Sequence, residues 1–253
     1  YGIHYWSHNC NCVFKLGYVP YNLETGAIAM IKLENLTKSY PSKMGPQYIF
    51  RNLNFNFPTE NNVAILGKNG AGKSTLFRML AKSEYPDRGR VLTNKAMSWP
   101  VALQTGIHPQ MTGRENTRFI GRINNVTSIA EYEEKVQAFA ELDKRFDLPV
   151  KNYSSGMRAK LVFACCMNVG FDIYLIDEAT SVGDPLFRKK ARLSLKEKSE
   201  EAGVIMVSHE LDQIREFCTS AVIIDDGKLH YYEDLEEGID VYTQDADNKK
   251  SLK

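Results

Sequence analysis

The chain has 253 residues, 43% of them hydrophobic, which is enough to bury an ordinary core in one domain with an embedded subdomain. Its 32 basic and 31 acidic side chains leave a net charge of +1, which excludes a global field that would recruit nucleic acid or anionic lipid. The longest apolar run, Leu161–Met167, is far shorter than the roughly 20 residues that cross a bilayer, and five cysteines without disulfide-framework spacing favour a reducing cytosolic setting.

Residues 1–29 differ from the rest in being rich in aromatic residues and in lacking clear periodicity. They do not resemble a signal peptide, because Lys15 is their only basic residue and no compact apolar stretch leads to a small-residue cleavage site. We expect a leader of uncertain status, either an upstream extension or a disordered segment. The predicted folded domain covers residues 30–243, and residues 244–253 are predicted to be a polar, frayed tail.

The start of the predicted domain combines strands with a glycine-rich turn. Apolar residues in 31–40 and in Ile49–Phe57 predict two antiparallel strands around a Pro/Gly loop. The continuous apolar run Val63–Leu66 is typical of a strand covered on both faces. A helical pattern, Ser74–Leu80, follows the turn, so this segment is the strand–loop–helix unit of an α/β domain.

The pattern turns helical between about residues 106 and 165, which we interpret as an inserted helical subdomain. A capping box at Thr112 and Glu115 precedes a predicted helix over Arg114–Ile123. A second helix is predicted over Ala130–Phe146, with Val136, Phe139, Ala140 and Phe146 on one face.

Strands return in the last third of the chain. They are predicted at Ile173–Ile176, Val204–Val207 and Ala221–Ile224, and the helices between the first pairs indicate a largely parallel sheet. An Asp226-Gly227 turn predicts a hairpin into Leu229–Tyr232.

A phosphate-binding motif, the P-loop, fits residues 67–74 in the context that it requires, after a buried strand and before a helix. Glycines let backbone amides turn towards phosphate oxygens, and the helix that follows directs its positive end at the same anion. Lys73 is expected to reach the β- and γ-phosphates, and the Ser74 hydroxyl to complete a magnesium shell. The residues assigned to the nucleotide here are Gly67, Asn69, Gly70, Ala71, Gly72, Lys73, Ser74 and Thr75.

Two carboxylates, Asp177 and Glu178, follow the apolar strand-like run that begins at Tyr174. The carboxyl edge of a parallel sheet is where the phosphates lie, so both are expected near the P-loop. Asp177 is predicted to hold magnesium, directly or through water, and Glu178 to polarise the attacking water. A strand that ends in Asp-Glu is common, and only its pairing with the P-loop makes it informative.

Two further segments have a structural and a functional interpretation. His209 follows the strand Val204–Val207 and is placed to hydrogen-bond a γ-phosphate, although a histidine after a strand is often structural. The segment Tyr153–Met157 puts hydroxyls and amides at the start of an amphipathic helix that begins near Arg158, which makes either an anion site or a simple N-cap.

With these motifs in this order, the chain resembles a nucleotide-binding subunit of an ABC transporter from Met30 to about residue 243. The resemblance implies a P-loop NTPase core of the α/β class with a mostly parallel sheet, an N-terminal antiparallel β subdomain and the inserted helical subdomain. It implies ATP and Mg²⁺ as ligands, catalysis by Lys73, Glu178 and His209, and two copies that sandwich two ATP molecules.

The same resemblance assigns further residues. The family signature corresponds to Tyr153–Met157, which departs from the commonest form at the second small residue and at the last position, and Ser154, Ser155 and Gly156 would face nucleotide on the other copy. The loop after the carboxylates corresponds to Ser181–Asp184, and Tyr40 to the adenine-stacking aromatic. Gln104 is the best candidate for the glutamine that links magnesium to the membrane domain, with His108 and Gln110 left open by spacing alone.

A narrower resemblance is to ATPases of capsular polysaccharide exporters. It is carried by residues 36–40, 98–101, 112–116, 153–158 and 182–184. It implies a peripheral position at the cytoplasmic face of the bacterial inner membrane, a separate transmembrane permease that contacts residues 104–111 and the helical subdomain, and a glycan contacted mainly by the permease. No nucleic-acid partner is expected.

Other functions for this sequence would require different sequence features. Exporters of O-antigen or teichoic acid share several of these segments. A soluble ABC ATPase usually has two ATPase units or a coiled-coil insertion, and a P-loop kinase would need neither the signature-like segment nor His209. A nucleotide-binding module without catalysis would not need Glu178.

Overall fold

A computed structural model of the chain describes residues 31–58, 61–101, 106–177 and 183–248. The described part begins with strands β1 (Ile31–Ser42) and β2 (Gly45–Phe57), which pair antiparallel with Ile31 opposite Phe57. This confirms the predicted hairpin, although Gly45 and Pro46 lie in β2 and not in a loop. Strand β4 (Arg88–Thr93), which sequence periodicity did not indicate, adds to β1 and completes a 3-stranded sheet of order β2-β1-β4.

The second sheet is mostly parallel, as predicted, and has the order β5-β6-β3-β7-β8. Strands β3, β5, β6 and β7 run parallel, and β8 returns antiparallel after the turn at Asp226 and Gly227, whose φ angles of 45° and 71° suit a tight hairpin. The strand bounds are β3 Val63–Gly67, β5 Ile173–Asp177, β6 Gly203–Val207, β7 Ser220–Asp225 and β8 Lys228–Tyr232.

Strand β3 is covered on both faces, as its continuous apolar sequence predicts. Ala64 and Leu66 pack into one hydrophobic core, and Val63 and Ile65 into another. The second core also contains the antiparallel sheet and helix α1 (Lys73–Leu80). The first contains residues of the helices α4 Ser155–Met167, α5 Pro185–Glu201, α6 Leu211–Phe217 and α7 Leu235–Asn248.

The helical region contains α2 (Gly113–Ile123), α3 (Ile129–Ala140) and α4. The capping box is confirmed, because the Thr112 hydroxyl accepts from the Glu115 amide at 3.0 Å and the Glu115 carboxylate accepts from the Thr112 amide at 2.8 Å. The prediction that α3 continues to Phe146 was wrong. Glu141 adopts a left-handed conformation with φ 54°, which ends the helix, and residues 143–147 form a 3₁₀ turn.

Two further observations concern the chain end and the membrane. Helix α7 continues to Asn248, so the backbone past residue 243 is helical where fraying was expected. In the four described ranges, none of the helices is long and apolar enough to span a membrane.

Candidate nucleotide-binding site

The turn between β3 and α1 is shaped by glycines. Gly70 and Gly72 have φ angles of 84° and 105°, a region that residues with a Cβ rarely adopt. A Cβ on Gly72 would also lie 2.5 Å from Ile49 Cγ2 and 2.9 Å from Phe50 Cζ, so the β subdomain leaves no room for a side chain there. The backbone of residues 68–72 can therefore fold around an anion at the start of α1.

Positive charge is concentrated in this turn. The Lys73 ammonium lies across it, donating to the carbonyl of Gly67 at 2.5 Å and to that of Lys68 at 3.1 Å. Gly72 provides no side-chain cap and the first turn of α1 has no acidic residue, so the helix N-terminus presents amides and its dipole to the same space. Asn69 and Ser74 are exposed, Ala71 is half-buried, and Thr75 is buried. This arrangement fits a bound triphosphate.

The strand ends bring two more assigned residues to the edge where the P-loop lies. Asp177 is the last residue of β5 and pairs with Val207, the last residue of β6. Ser208 and His209 follow, so Asp177 and His209 emerge at the same edge, with Asp177 half-buried and His209 exposed. Carboxylate and hydroxyl oxygens are ligands that Mg²⁺ prefers, so Asp177 and Ser74 fit a magnesium site.

Glu178 and Gln104 lie outside the described residues, but the segment before Gln104 is placed. Ser98 Oγ accepts from the Leu175 amide at 2.9 Å, and the Val101 amide donates to the Leu175 carbonyl at 3.0 Å. This segment therefore runs beside β5 in the direction of Asp177.

The two alternatives to Gln104 make contacts in the helical region. Gln110 Oε1 accepts from Lys151 Nζ at 3.1 Å, and the His108 amide donates to Asn116 Oδ1 at 2.7 Å.

The signature-like segment belongs to the helical region. Tyr153 is buried and donates to the Arg145 carbonyl at 2.7 Å, and burial raises its pKa to about 12. Ser154 is the N-cap of α4, its hydroxyl accepting from the Met157 amide at 3.2 Å, so the helix begins at Ser155 and not near Arg158. Ser155 is exposed, and a Cβ on Gly156 would meet only Ser154 Oγ, at 3.9 Å. The packing of this chain therefore does not require glycine at position 156.

Tyr40 lies against α1, which begins at the P-loop. Its hydroxyl donates to the carboxylate of Glu84, with oxygen distances of 2.8 and 3.0 Å, and lies 3.3 Å from Thr75 Oγ1. Arg78 donates to the same hydroxyl at 3.0 Å. Sequence reasoning missed Arg78 and Glu84, because charged residues near a helix end give no signal of a partner on a distant strand.

Glu84 carries a negative charge in a partly buried place. Burial by itself would raise its pKa, but hydrogen bonds from Lys38, Arg78 and Tyr40 outweigh burial and hold the pKa at about 2. The carboxylate is therefore ionised throughout the neutral range.

The parallel sheet, the glycine turn and the strand-end carboxylate together define a P-loop nucleotide-binding protein. The family described as "ABC transporter" matches residues 50–181. The chain belongs to this family, as the resemblance predicted, and is an ATP-hydrolysing transport subunit.

Two relatives match over nearly their whole length. The chain is 46% identical over 222 residues to "Polysialic acid transport ATP-binding protein KpsT" of Escherichia coli, covering 86% of the chain and 99% of that protein. It is 37% identical over 213 residues to "Capsule polysaccharide export ATP-binding protein CtrD" of Neisseria meningitidis serogroup B, covering 84% and 98%.

A solved structure shows the same fold. The ATP-binding cassette MJ0796, a dimer in a post-hydrolysis state bound to ADP and Pi, superposes with a TM-score of 0.67 at 23% identity, covering 81% of the chain and 98% of that protein. The predicted P-loop NTPase fold class is thereby confirmed.

Proposed function

We propose that this chain powers the export of a capsular polysaccharide across the bacterial inner membrane by hydrolysing MgATP at the site described above. The observation that carries the proposal is the 46% identity to a polysialic acid transport ATP-binding protein over 99% of that protein's length. The glycine-lined turn with Lys73 folded across it supports the proposal, because such a turn can bind an anion.

The residues have distinct roles in the proposed reaction. Lys73 and backbone amides of the P-loop bind the β- and γ-phosphates and stabilise their charge. Glu178 orients the attacking water, and His209 hydrogen-bonds the γ-phosphate. Ser74, Asp177 and Gln104 would hold magnesium, and the ion would neutralise charge on the phosphates.

Two copies are proposed to close on two ATP molecules. Ser154, Ser155 and Gly156 of one copy would face the P-loop of the other. The open space above Gly156 supports this arrangement, since a glycine that its own chain does not need leaves room for an approaching phosphate. Tyr40 would stack on adenine, and the γ-phosphate would favour the closed pair.

The proposed location is the cytoplasmic face of the inner membrane, where a separate transmembrane permease holds the chain. The helical subdomain and residues 104–111 would contact this permease, which would make most of the contacts to the glycan. No role for nucleic acid is included in the proposal.

The ATPase part is tested with the purified chain. We expect MgATP hydrolysis that falls at least about 100-fold in Glu178→Gln while ATP binding is kept, since removing a water-orienting group affects the chemical step. Glu197→Gln, the same change at an exposed position of α5, is the matched control and should hydrolyse ATP normally. Hydrolysis that survives in Glu178→Gln would remove that residue from its assigned role.

The export part is tested in the encapsulated host. Deleting the gene should leave the capsular glycan inside the cell, and the wild-type gene, but not Lys73→Ala, should restore it to the surface. A surface glycan that persists in the deletion strain, with loss of a different envelope polymer such as O-antigen or teichoic acid, would reassign the cargo. A deletion without any transport defect would favour a soluble ATPase.

A further inference from the structure

A polar cluster joins the antiparallel sheet to the helix that follows the P-loop. We define the Tyr40 cluster as Lys38 and Tyr40 of β1, Thr75 and Arg78 of α1, and Glu84 in the loop after α1. Glu84 is its centre, because its carboxylate accepts from Tyr40 at 2.8 Å and from Arg78 at 2.8 Å and lies 2.9 Å from the Lys38 ammonium.

Glu84 is attached to α1 by its backbone. The amides of Ser83 and Glu84 both donate to the carbonyl of Arg78, at 3.0 and 3.2 Å. Since α1 starts at the P-loop, a group bonded to Glu84 has a fixed position relative to the phosphate site. The carboxylate side chain is only 19% exposed and that of Lys38 only 11%, so solvent screens these bonds little.

The Tyr40 hydroxyl uses its full hydrogen-bonding capacity in this cluster. A phenol hydroxyl donates one bond and accepts two. Here it donates to Glu84, accepts from Arg78 at 3.0 Å and lies 3.3 Å from Thr75 Oγ1. The backbone of Tyr40 is held separately, by its pairing with Gln47 of β2. The ring of Tyr40 is therefore held from its hydroxyl end.

One face of the Tyr40 ring is also occupied. The Lys38 ammonium lies over the ring, 5.4 Å from its centroid. The side chain is nevertheless partly exposed, so a flat ligand can reach it from outside the cluster. An aromatic ring that is anchored at its hydroxyl, attached to the P-loop helix and still accessible is preorganised for stacking.

We propose that Glu84 is a positioning residue for adenine, an inference that rests on the proposed function. Glu84 holds the Tyr40 ring against the P-loop helix, so that the base and the triphosphate of one nucleotide are bound together. Glu84 does not touch the nucleotide. It acts through the Tyr40 hydroxyl, and Arg78 completes the anchor.

The experiment compares two ligands of the full chain, MgATP and magnesium tripolyphosphate, which shares the phosphates but has no base. In Tyr40→Phe and in Glu84→Gln we expect the affinity for MgATP to fall about threefold to tenfold, the size of one typical lost hydrogen bond, with tripolyphosphate affinity unchanged. Glu34→Gln is the matched control, because Glu34 also bridges charged partners, Lys32 and Arg90, on the same sheet. It should alter neither affinity.

Each other outcome has a defined meaning. Equal losses for both ligands would show a structural effect on α1 and overturn the inference, as would an unchanged MgATP affinity in both variants. Tyr40→Ala distinguishes the proposed role of Glu84 from the stacking of Tyr40 on adenine. If Tyr40→Ala weakens MgATP binding while Tyr40→Phe and Glu84→Gln do not, stacking stands and the role of Glu84 is rejected. A wild-type chain that binds neither ligand would instead reject the proposed function.

Discussion

The Lys160 ammonium of α4 lies 2.6 Å from the carboxylate of Asp184, the N-cap of α5. This ion pair joins the helix of the signature-like segment to Asp184, the last residue of the segment assigned to the loop after the two carboxylates. Lys160 also lies 5.0 Å from the centroid of the Phe187 ring, and Phe187 packs against Phe139 and Phe163. The helix of the signature-like segment is thus joined to the start of α5 within one chain.

The Lys160–Asp184 pair predicts a pH-dependent stability. The hydrogen bond from Lys160, followed by that from the Phe187 amide, lowers the pKa of Asp184 from 3.8 to about 2. A lowered carboxyl pKa contributes stability that is present above the unfolded pKa and is lost as the pH falls through the folded pKa. Asp184→Asn keeps an N-cap side chain but removes the charge, so the difference in unfolding free energy between wild type and variant should shrink from about pH 4 to about pH 2.

The measurement is urea unfolding of both proteins across this acid range. Asp212→Asn, at an exposed residue of α6, is the control and should show a much smaller pH-dependent difference. A difference between Asp184→Asn and wild type that stays constant with pH would exclude the ion pair as its source.

Gly70 and Gly72, two P-loop glycines with positive φ, should respond differently to substitution by alanine. Gly72→Ala adds a Cβ 2.5 Å from Ile49 Cγ2, whereas a Cβ on Gly70 meets nothing within 4 Å. Both changes strain the backbone by about 1–2 kcal/mol, and only Gly72→Ala adds a clash with the β subdomain. Thermal unfolding should therefore show the larger loss for Gly72→Ala. Equal losses of thermal stability would mean that backbone strain alone accounts for the effect of both substitutions.

Gly156→Ala should separate stability from activity. A Cβ at this position meets only Ser154 Oγ, at 3.9 Å, so the free energy of unfolding should stay the same or rise by up to about 1 kcal/mol. ATP-dependent dimerisation and hydrolysis should fall, because the added methyl group would occupy the space proposed for the other copy's nucleotide. Sedimentation of the Glu178→Gln protein with MgATP, with and without Gly156→Ala, measures dimerisation, and an ATPase assay of Gly156→Ala alone measures hydrolysis.

Gly121→Ala is the contrasting variant for that experiment. Its Cβ would lie 2.9 Å from both Ile129 and Tyr132, so it should destabilise the helical region. If Gly156→Ala dimerises and hydrolyses ATP as well as the wild type does, the proposed interface is wrong.

The buried thiols of Cys165, Cys166 and Cys218 should not react with thiol reagents while the protein is folded. Burial raises the pKa of Cys165 and of Cys218 to about 12, and it also raises the pKa of Cys166. A variant with Cys10→Ser and Cys12→Ser should therefore react with an aromatic disulfide reagent at mildly alkaline pH only after denaturant is added. Fast reaction of the native variant would contradict the burial of these three side chains.

Tyr132 provides a test of packing within the helical region. Its ring is 2% exposed, and its hydroxyl donates to the Cys165 carbonyl at 2.9 Å, which joins α3 to α4. Tyr132→Phe leaves that carbonyl without its donor and should lower the free energy of unfolding by about 1–2 kcal/mol. Tyr231→Phe, at an exposed residue of β8, should change stability by less than about 0.5 kcal/mol in the same urea titration. Equal effects of the two changes would argue against the buried hydrogen bond.

The sequence by itself determined the features that short-range physics specifies. The apolar run Val63–Leu66 followed by glycines predicts a buried strand and a phosphate turn, and the Thr112–Glu115 capping box predicts where α2 begins. These signals lie within a few residues of one another, so no tertiary information is needed to recognise them.

Only the tertiary structure decided the contacts that join distant segments. The antiparallel addition of β4 to β1, the anchoring of Tyr40 by Glu84 and the pairing of Lys160 with Asp184 each connect residues far apart in the chain. The end of α3 at Ala140 likewise depends on the left-handed backbone of Glu141, which helical periodicity does not predict. Partners of this kind are chosen by how the two sheets and the helical region pack, because a charged side chain gives no local signal of the partner that folding brings to it.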